Sequence, residues 1–154
     1  MKLNFYTDGG CEPNPGMGAW AVVCVRPHLE FSGIEENTTS NRMEMMAVIE
    51  AIKKGIEMQA DRIRIYSDSR YVVDGFNDWM HSWRRRQWRK SSGETVLNQD
   101  IWIDLYKLRT NILIARKKII IEWVKGHADN EFNTLADEIV RSTYSKHFSK
   151  ELTY

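Results

Sequence analysis

Two stretches near the start of the chain, Leu3 to Asp8 and Gly18 to Arg26, are rich in β-branched and aromatic residues and predict strands, with the Gly, Pro and Asn residues between them marking a turn. A third strand is expected over Leu29 to Glu35. At Asn41 the period changes. Met45, Ile49, Ile52 and Ile56 then fall at i, i+4, i+7 and i+11, which is one apolar stripe of a helix packed on a sheet. Gly55, near the end of that stripe, predicts fraying there. Arg62 to Asp68 alternates Ile63 and Ile65 with arginines and reads as a short strand, followed by a helix over about Ser69 to Asp78. After a Ser-Ser-Gly break at 91–93, Ile101, Leu105, Leu108 and Ile112 repeat the helical stripe, and Lys118 to Val124 forms an Ile-rich strand. A last helix is expected to begin around Asn130 to Asn133. The order β-β-β-α-β-α-α-α-β-α predicts an α/β fold. It has an antiparallel meander first, then strands reached through helical crossovers, with helices covering a mixed sheet.

With 154 residues, 42% of them hydrophobic, the chain can bury one core, so a single domain over 1–154 is expected, with a flexible tail over about 146–154. No apolar run approaches the roughly 20 residues of a membrane span, and none follows Met1-Lys2-Leu3-Asn4 as a signal peptide requires. No membrane partner is expected. Cys11 and Cys24 lack C-x-x-C spacing, and a cytoplasmic, reducing compartment is the expectation. The net charge of +1 hides an uneven distribution. Residues 79–90 read Trp-Met-His-Ser-Trp-Arg-Arg-Arg-Gln-Trp-Arg-Lys, with five basic residues and no acid, and removing those five leaves −4 elsewhere.

Candidate chemistry lies in four carboxylates. Asp8 and Asp68 each end a predicted strand, Glu44 lies in the first turn of its helix, and Asp137 lies in the last helix. Strand ends of an α/β sheet are where sites are built. Each residue also has a local reading: Asp8 before Gly9-Gly10 as a turn former, Asp68 as a helix cap, Glu44 three residues after Asn41 as part of a capping box, and Asp137 as a solvated helix residue.

The surrounding blocks carry more information. Tyr6-Thr7-Asp8-Gly9-Gly10-Cys11 with Asn14-Pro15-Gly16, Asn41-Arg42-Met43-Glu44, Tyr66-Ser67-Asp68-Ser69, Trp123-Val124-Lys125-Gly126-His127 and Ala136-Asp137-Glu138 resemble, in order, the signatures of the type 1 ribonuclease H family. The resemblance covers nearly the whole chain. It implies a ribonuclease H-like fold, a five-stranded mixed sheet flanked by helices. It also implies a monomeric endonuclease that cuts the RNA strand of RNA–DNA hybrids by a two-metal-ion mechanism, leaving 5′-phosphate and 3′-hydroxyl ends. Asp8, Glu44, Asp68 and Asp137 are then the metal-binding carboxylates, and His127 assists catalysis. Crowded carboxylates raise one another's pKa unless cations neutralise them. Hard oxygen donors favour Mg²⁺, with Mn²⁺ as a substitute.

The segment from Trp79 to Lys90 resembles the basic handle of cellular members. Trp79 and Trp83 are four apart on one helix face, and with Trp88 they are expected to be shared between core and substrate, while Arg84, Arg85, Arg86 and Arg89 face phosphates. RNA differs from DNA by its 2′-hydroxyl. Asn14, Asn41 and Glu44 match family positions that read it, and Thr39, Ser40 and Asn98 match positions for the DNA strand. Ser40 stands where asparagine is frequent, Arg70 where glutamine is frequent, and Glu12-Pro13 is unusual in the first loop. Related folds serve transposases, resolvases and exonucleases, but the handle and the Asn-Arg-Met-Glu block argue against these. A hybrid-binding module without catalysis would lack a carboxylate, and all four are present. A reverse-transcriptase fragment would not be expected to begin with Met1 just ahead of the first strand.

Overall fold

A computed structural model of the chain describes residues 1–126 and 130–152, with side chains through residue 147. Its elements are β1 (Lys2–Cys11), β2 (Gly16–Cys24), β3 (Leu29–Thr38), α1 (Ser40–Glu57), β4 (Arg62–Ser67), α2 (Arg70–Asp74), a π-helical turn (Gly75–Trp79), α3 (Met80–Arg85), α4 (Gln99–Ile114), β5 (Lys118–Trp123) and α5 (Glu131–Leu152). The five-stranded sheet has the order β3-β2-β1-β4-β5, antiparallel through the first three strands in sequence and parallel where β1 meets β4 and β4 meets β5. Hairpins suffice for the antiparallel pairs, whereas each parallel pair needs a crossover, supplied by α1 and then by the run from α2 to α4.

Alternation along β2 shows how the sheet is covered. Val22 and Cys24 belong to the main core with Leu3, Phe5, Met45, Ile52, Ile65 and Trp102, beneath α1 and α4. Ala19 and Ala21 point the other way and pack with Val140 of α5. Strand side chains alternate by face, so a single strand serves both layers.

Several expectations change in detail. β1 continues three residues beyond Asp8, because Gly9, Gly10 and Cys11 keep pairing with Trp20, Ala19 and Gly18, so Asp8 neither ends its strand nor forms a turn. The stripe of α1 buries Met45, Ile49 and Ile52 but leaves Ile56 43% exposed. Gly55 is buried rather than frayed. A Cβ there would stand 2.5 Å from Ile63 Cδ1, so glycine lets the last turn of α1 close on β4. The helix expected over 69–78 bulges into the π turn and continues as α3. Within that turn Gly75 lies flat on the buried Trp102, where a Cβ would be 2.0 Å from Cη2. Asn130 starts α5 by accepting hydrogen bonds from the Phe132 and Asn133 amides at 3.0 and 3.1 Å. The segment from 146 is helical through Leu152.

Candidate active site

The site begins where the sheet divides. Parallel pairing of β1 with β4 stops at Thr7 and Ser67, while β1 goes on pairing with β2, so the next residue on each strand, Asp8 and Asp68, stands at the mouth of the split. Asp68 is held from two sides. The Trp123 indole donates to its backbone carbonyl at 3.1 Å, and Gly126 approaches so closely that a Cβ there would lie 2.8 Å from Oδ2. Asp68 is not the cap of α2. That role belongs to Ser69, whose hydroxyl accepts from the Val72 amide.

Glu44 is the fifth residue of α1 and not in a capping box, because the cap is Thr39, whose hydroxyl accepts from the Arg42 amide at 3.2 Å. The Gly9 amide donates to Glu44 Oε1 at 3.1 Å, and Oε2 is buried with no hydrogen-bond partner. Asp8, Glu44 and Asp68 each offer an oxygen such that all three lie within 4.8 Å of one another. Asp137, on α5, lines the same hollow of about 400 Å³ together with Gly10, Glu12, Ser40, Arg141 and Tyr144. Its Oδ2 pairs with Arg141 Nε at 3.1 Å.

Burial pushes the Asp8 carboxyl up to about 7, with the charges of Asp68 and Asp137 adding to the rise and hydrogen bonds from Glu44 and the Gly9 amide opposing it. Glu44 is driven well above the ordinary carboxylate range, first by burial and then by Asp8 and Asp68. An orphaned buried oxygen among repelling carboxylates fits hard divalent cations, which would satisfy the oxygen and neutralise the repulsion together. His127 lies outside the described residues.

The expected substrate residues fall into two groups. Around the start of α1, Asn14 Oδ1 accepts from the Ser40 amide at 3.3 Å, which ties the β1–β2 loop to the helix carrying Ser40, the exposed Asn41 and Glu44. Asn98, in left-handed conformation with φ 61°, precedes α4 and contacts Arg42 and Tyr71. Arg70 stacks on the Trp123 ring, its Cζ 3.9 Å from the centroid, beside Asp68. Arg42, Trp123 and Tyr71 were not singled out in the sequence. Arg42 and Trp123 lie inside the quoted blocks, but only their tertiary neighbours show what they do.

The handle is less uniform than its charge suggests. Trp79 and Trp83 lie 5.9 Å apart, and Trp83 also packs on Trp102 at 5.6 Å, so one face of the segment is anchored in the core. Trp79 and Trp83, with Tyr71, Asp78, Arg86, Lys90 and Leu97, line a groove of about 600 Å³. Arg84 instead lies over Tyr106, in a different hollow that Trp88 also lines. Arg85 Nε donates back along α3 to the His81 carbonyl at 3.4 Å, and Arg89, which bridges Thr95, donates to the Gly93 carbonyl at 3.0 Å where the chain turns back toward α4.

Known proteins resemble this chain in sequence and fold. The family model for RNase H matches residues 1–145. A ribonuclease H from Caldanaerobacter subterraneus subsp. tengcongensis is 40% identical over 153 residues, covering 96% of this chain and 94% of the relative. Another, from Thermoanaerobacter pseudethanolicus, is 43% identical over 140 residues, covering 89% and 86%. A solved type 1 RNase H with the type 2 active-site motif superposes with a TM-score of 0.75 at 27% identity, covering 92% of this chain and 71% of its own. The N-terminal RNase H domain of Rv2228c from Mycobacterium tuberculosis shares the fold, with a TM-score of 0.73 at 19% identity over 97% and 98% of the two chains. The match runs from β1 into α5, through every element that brings a carboxylate to the hollow, and the chain belongs to the RNase H family.

Proposed function

We propose that the hollow formed by Asp8, Glu44, Asp68 and Asp137 hydrolyses the RNA strand of RNA–DNA hybrids, with Mg²⁺ as the working cation and Mn²⁺ as its substitute, leaving 5′-phosphate and 3′-hydroxyl ends. The observation that carries the site is the buried, unpartnered Oε2 of Glu44, a residue that with Asp8 and Asp68 offers carboxylate oxygens within 4.8 Å of one another. Two divalent ions held there would supply the charge that activates water and offsets the charge on the leaving oxygen.

The protein's own groups prepare this chemistry. The Gly9 amide holds Glu44 by one oxygen and leaves the other for a cation. Trp123 holds the Asp68 backbone, so that strand end keeps its place when charge enters or leaves the hollow. Asn14 and Asn41, joined through the first turn of α1, read the 2′-hydroxyl of the RNA strand, with Glu44 beside them. Thr39, Ser40 and Asn98 take the DNA strand. Arg70 and the handle residues Trp79, Trp83, Arg84, Arg85, Arg86, Trp88 and Arg89 extend the surface. His127 moves a proton during turnover, a task for which the imidazole side chain is suited. His127→Ala is expected to slow turnover by roughly 10²–10⁴-fold without abolishing it, and a loss as complete as that of Asp8→Asn would assign it another role. We also place the protein as a monomer in the cytoplasm, where its free Cys11 and Cys24 stay reduced. Among the described residues, no helix is long and apolar enough to cross a membrane.

The direct experiment incubates the protein with labelled RNA–DNA hybrid, RNA duplex, DNA duplex and single-stranded RNA, with and without Mg²⁺. Cutting of the RNA strand in the hybrid alone, and only with the cation, is the expected result. Equal cutting of the other nucleic acids, or cutting in a chelator, would overturn the reading.

A further inference from the structure

Resting on the hybrid-cleaving function proposed above, we infer that Arg42, which contacts both Thr39 and Asn98, is a positioning residue that makes Asn98 present a hydrogen-bond donor to a phosphate of the DNA strand. Arg42 touches both residues. Its backbone amide donates to Thr39 Oγ1 at 3.2 Å, and its Nη1 donates to Asn98 Oδ1 at 3.3 Å. The guanidinium is itself fixed by a two-pronged pair with Asp100, at 2.9 Å from Nη1 to Oδ1 and 2.7 Å from Nη2 to Oδ2. That fork matches a carboxylate with both prongs, and lysine cannot reproduce it.

Arg42 fixes which way the Asn98 amide faces. A guanidinium has no acceptor, so Asn98 must turn its oxygen toward Arg42 and its amide nitrogen away. The other side is permissive. Tyr71 Oη accepts from the Trp102 indole N–H at 3.2 Å and from Asn98 Nδ2 at 3.0 Å, but its own O–H can also donate, so it is Arg42 that enforces the orientation. One Asn98 N–H is therefore used by Tyr71 and the second is left over. Thr39 spends its acceptor side on the helix cap, which leaves its O–H as a donor. Both residues are half-buried, so neither is sealed in the core, and Arg42 in the first turn of α1 contacts both. A phosphate oxygen only accepts. Without the Arg42 guanidinium, the remaining Tyr71 contact allows either amide orientation, because its hydroxyl donates as well as accepts, and a flipped amide turns its oxygen toward the anion.

The test is a double-mutant cycle on hybrid cleavage in Mg²⁺, using Arg42→Met, Asn98→Ala and the pair. Each single variant is expected to raise KM roughly five- to tenfold, the worth of about one hydrogen bond, with kcat within about twofold of wild type. Because the Arg42 side chain acts through Asn98, the double variant should be no worse than the weaker-binding single. Fold-changes that multiply would overturn the inference, as would an Arg42→Lys variant with the wild-type KM. Asn98→Asp supplies an arm that does not depend on Arg42→Met folding. It keeps the bond to Arg42 and removes the donor, so the melting temperature should hold or rise while KM increases by more than in Asn98→Ala. An unchanged KM there would also overturn it. A wild-type protein that does not cut hybrid would count against the proposed function instead, whereas a wild type that cuts with a multiplicative cycle removes this inference alone.

Discussion

At Gly9 there is no room for a side chain. A Cβ would sit 2.3 Å from the Met43 carbonyl carbon and 2.4 Å from the Glu44 amide nitrogen, so β1 and α1 meet here backbone to backbone. Gly9→Ala is expected to cost about 1–3 kcal/mol of stability in urea unfolding, the usual range for overpacking, and to reduce activity because Glu44 moves with α1. Wild-type stability in that variant would show that the helix yields easily. Asp8→Asn probes the neighbouring residue. It preserves size and removes a ligand charge, so Mg²⁺-dependent cleavage should vanish while hybrid binding, measured by anisotropy, survives. Near-normal turnover would sink the assignment of Asp8. The close approach at Gly9 was invisible in the sequence, where Gly9-Gly10 reads as a turn, because the partner that excludes a side chain lies 35 residues away.

At the scale of elements, the handle is where charge and geometry part. Composition shows five basic residues in twelve, but the structure sends Arg86 to the groove with Trp79 and Trp83 and Arg84 to the Tyr106 side. If that groove takes a nucleic-acid strand, Arg86→Ala should raise KM for hybrid with little change in kcat, since remote interactions bind ground and transition state alike. It should also lower the slope of log affinity against log salt by roughly 0.9 for each phosphate no longer neutralised, a coefficient taken from B-form DNA. Arg84→Ala should change that slope less. A larger slope change for Arg84 than for Arg86 would mean the strand lies on the Tyr106 side. The elements themselves were largely legible, since the strands of the meander and the stripe of α4 follow from period alone. The π turn was not, because it reflects Gly75 settling on Trp102 across 27 residues.

The whole molecule carries the cost of the carboxylate hollow. Asp8 titrates near 7 in the fold against about 3.9 in an unfolded chain, so the native state holds this proton more tightly. Stability of the metal-free protein should therefore fall as pH rises from about 4 through 7, by an amount on the order of a few kcal/mol, with Glu44 shifting in the same direction. Mg²⁺ should restore much of the loss at pH 8 by taking the place of the protons. Melting curves with and without the cation at pH 5 and pH 8 check this, and metal-free protein that is more stable at pH 8 would contradict it. What the sequence determined by itself was local: apolar periods that set most elements, and short blocks whose order marked the family and named the four carboxylates. Tertiary structure alone decided that Asp8, Glu44 and Asp68 converge, that Glu44 keeps one oxygen unpaired, and that Arg42 orients Asn98. These outcomes depend on where parallel pairing of β1 and β4 stops and how closely α1 approaches β1, and distances between residues far apart in the chain are set by crossovers and packing, which no local pattern encodes.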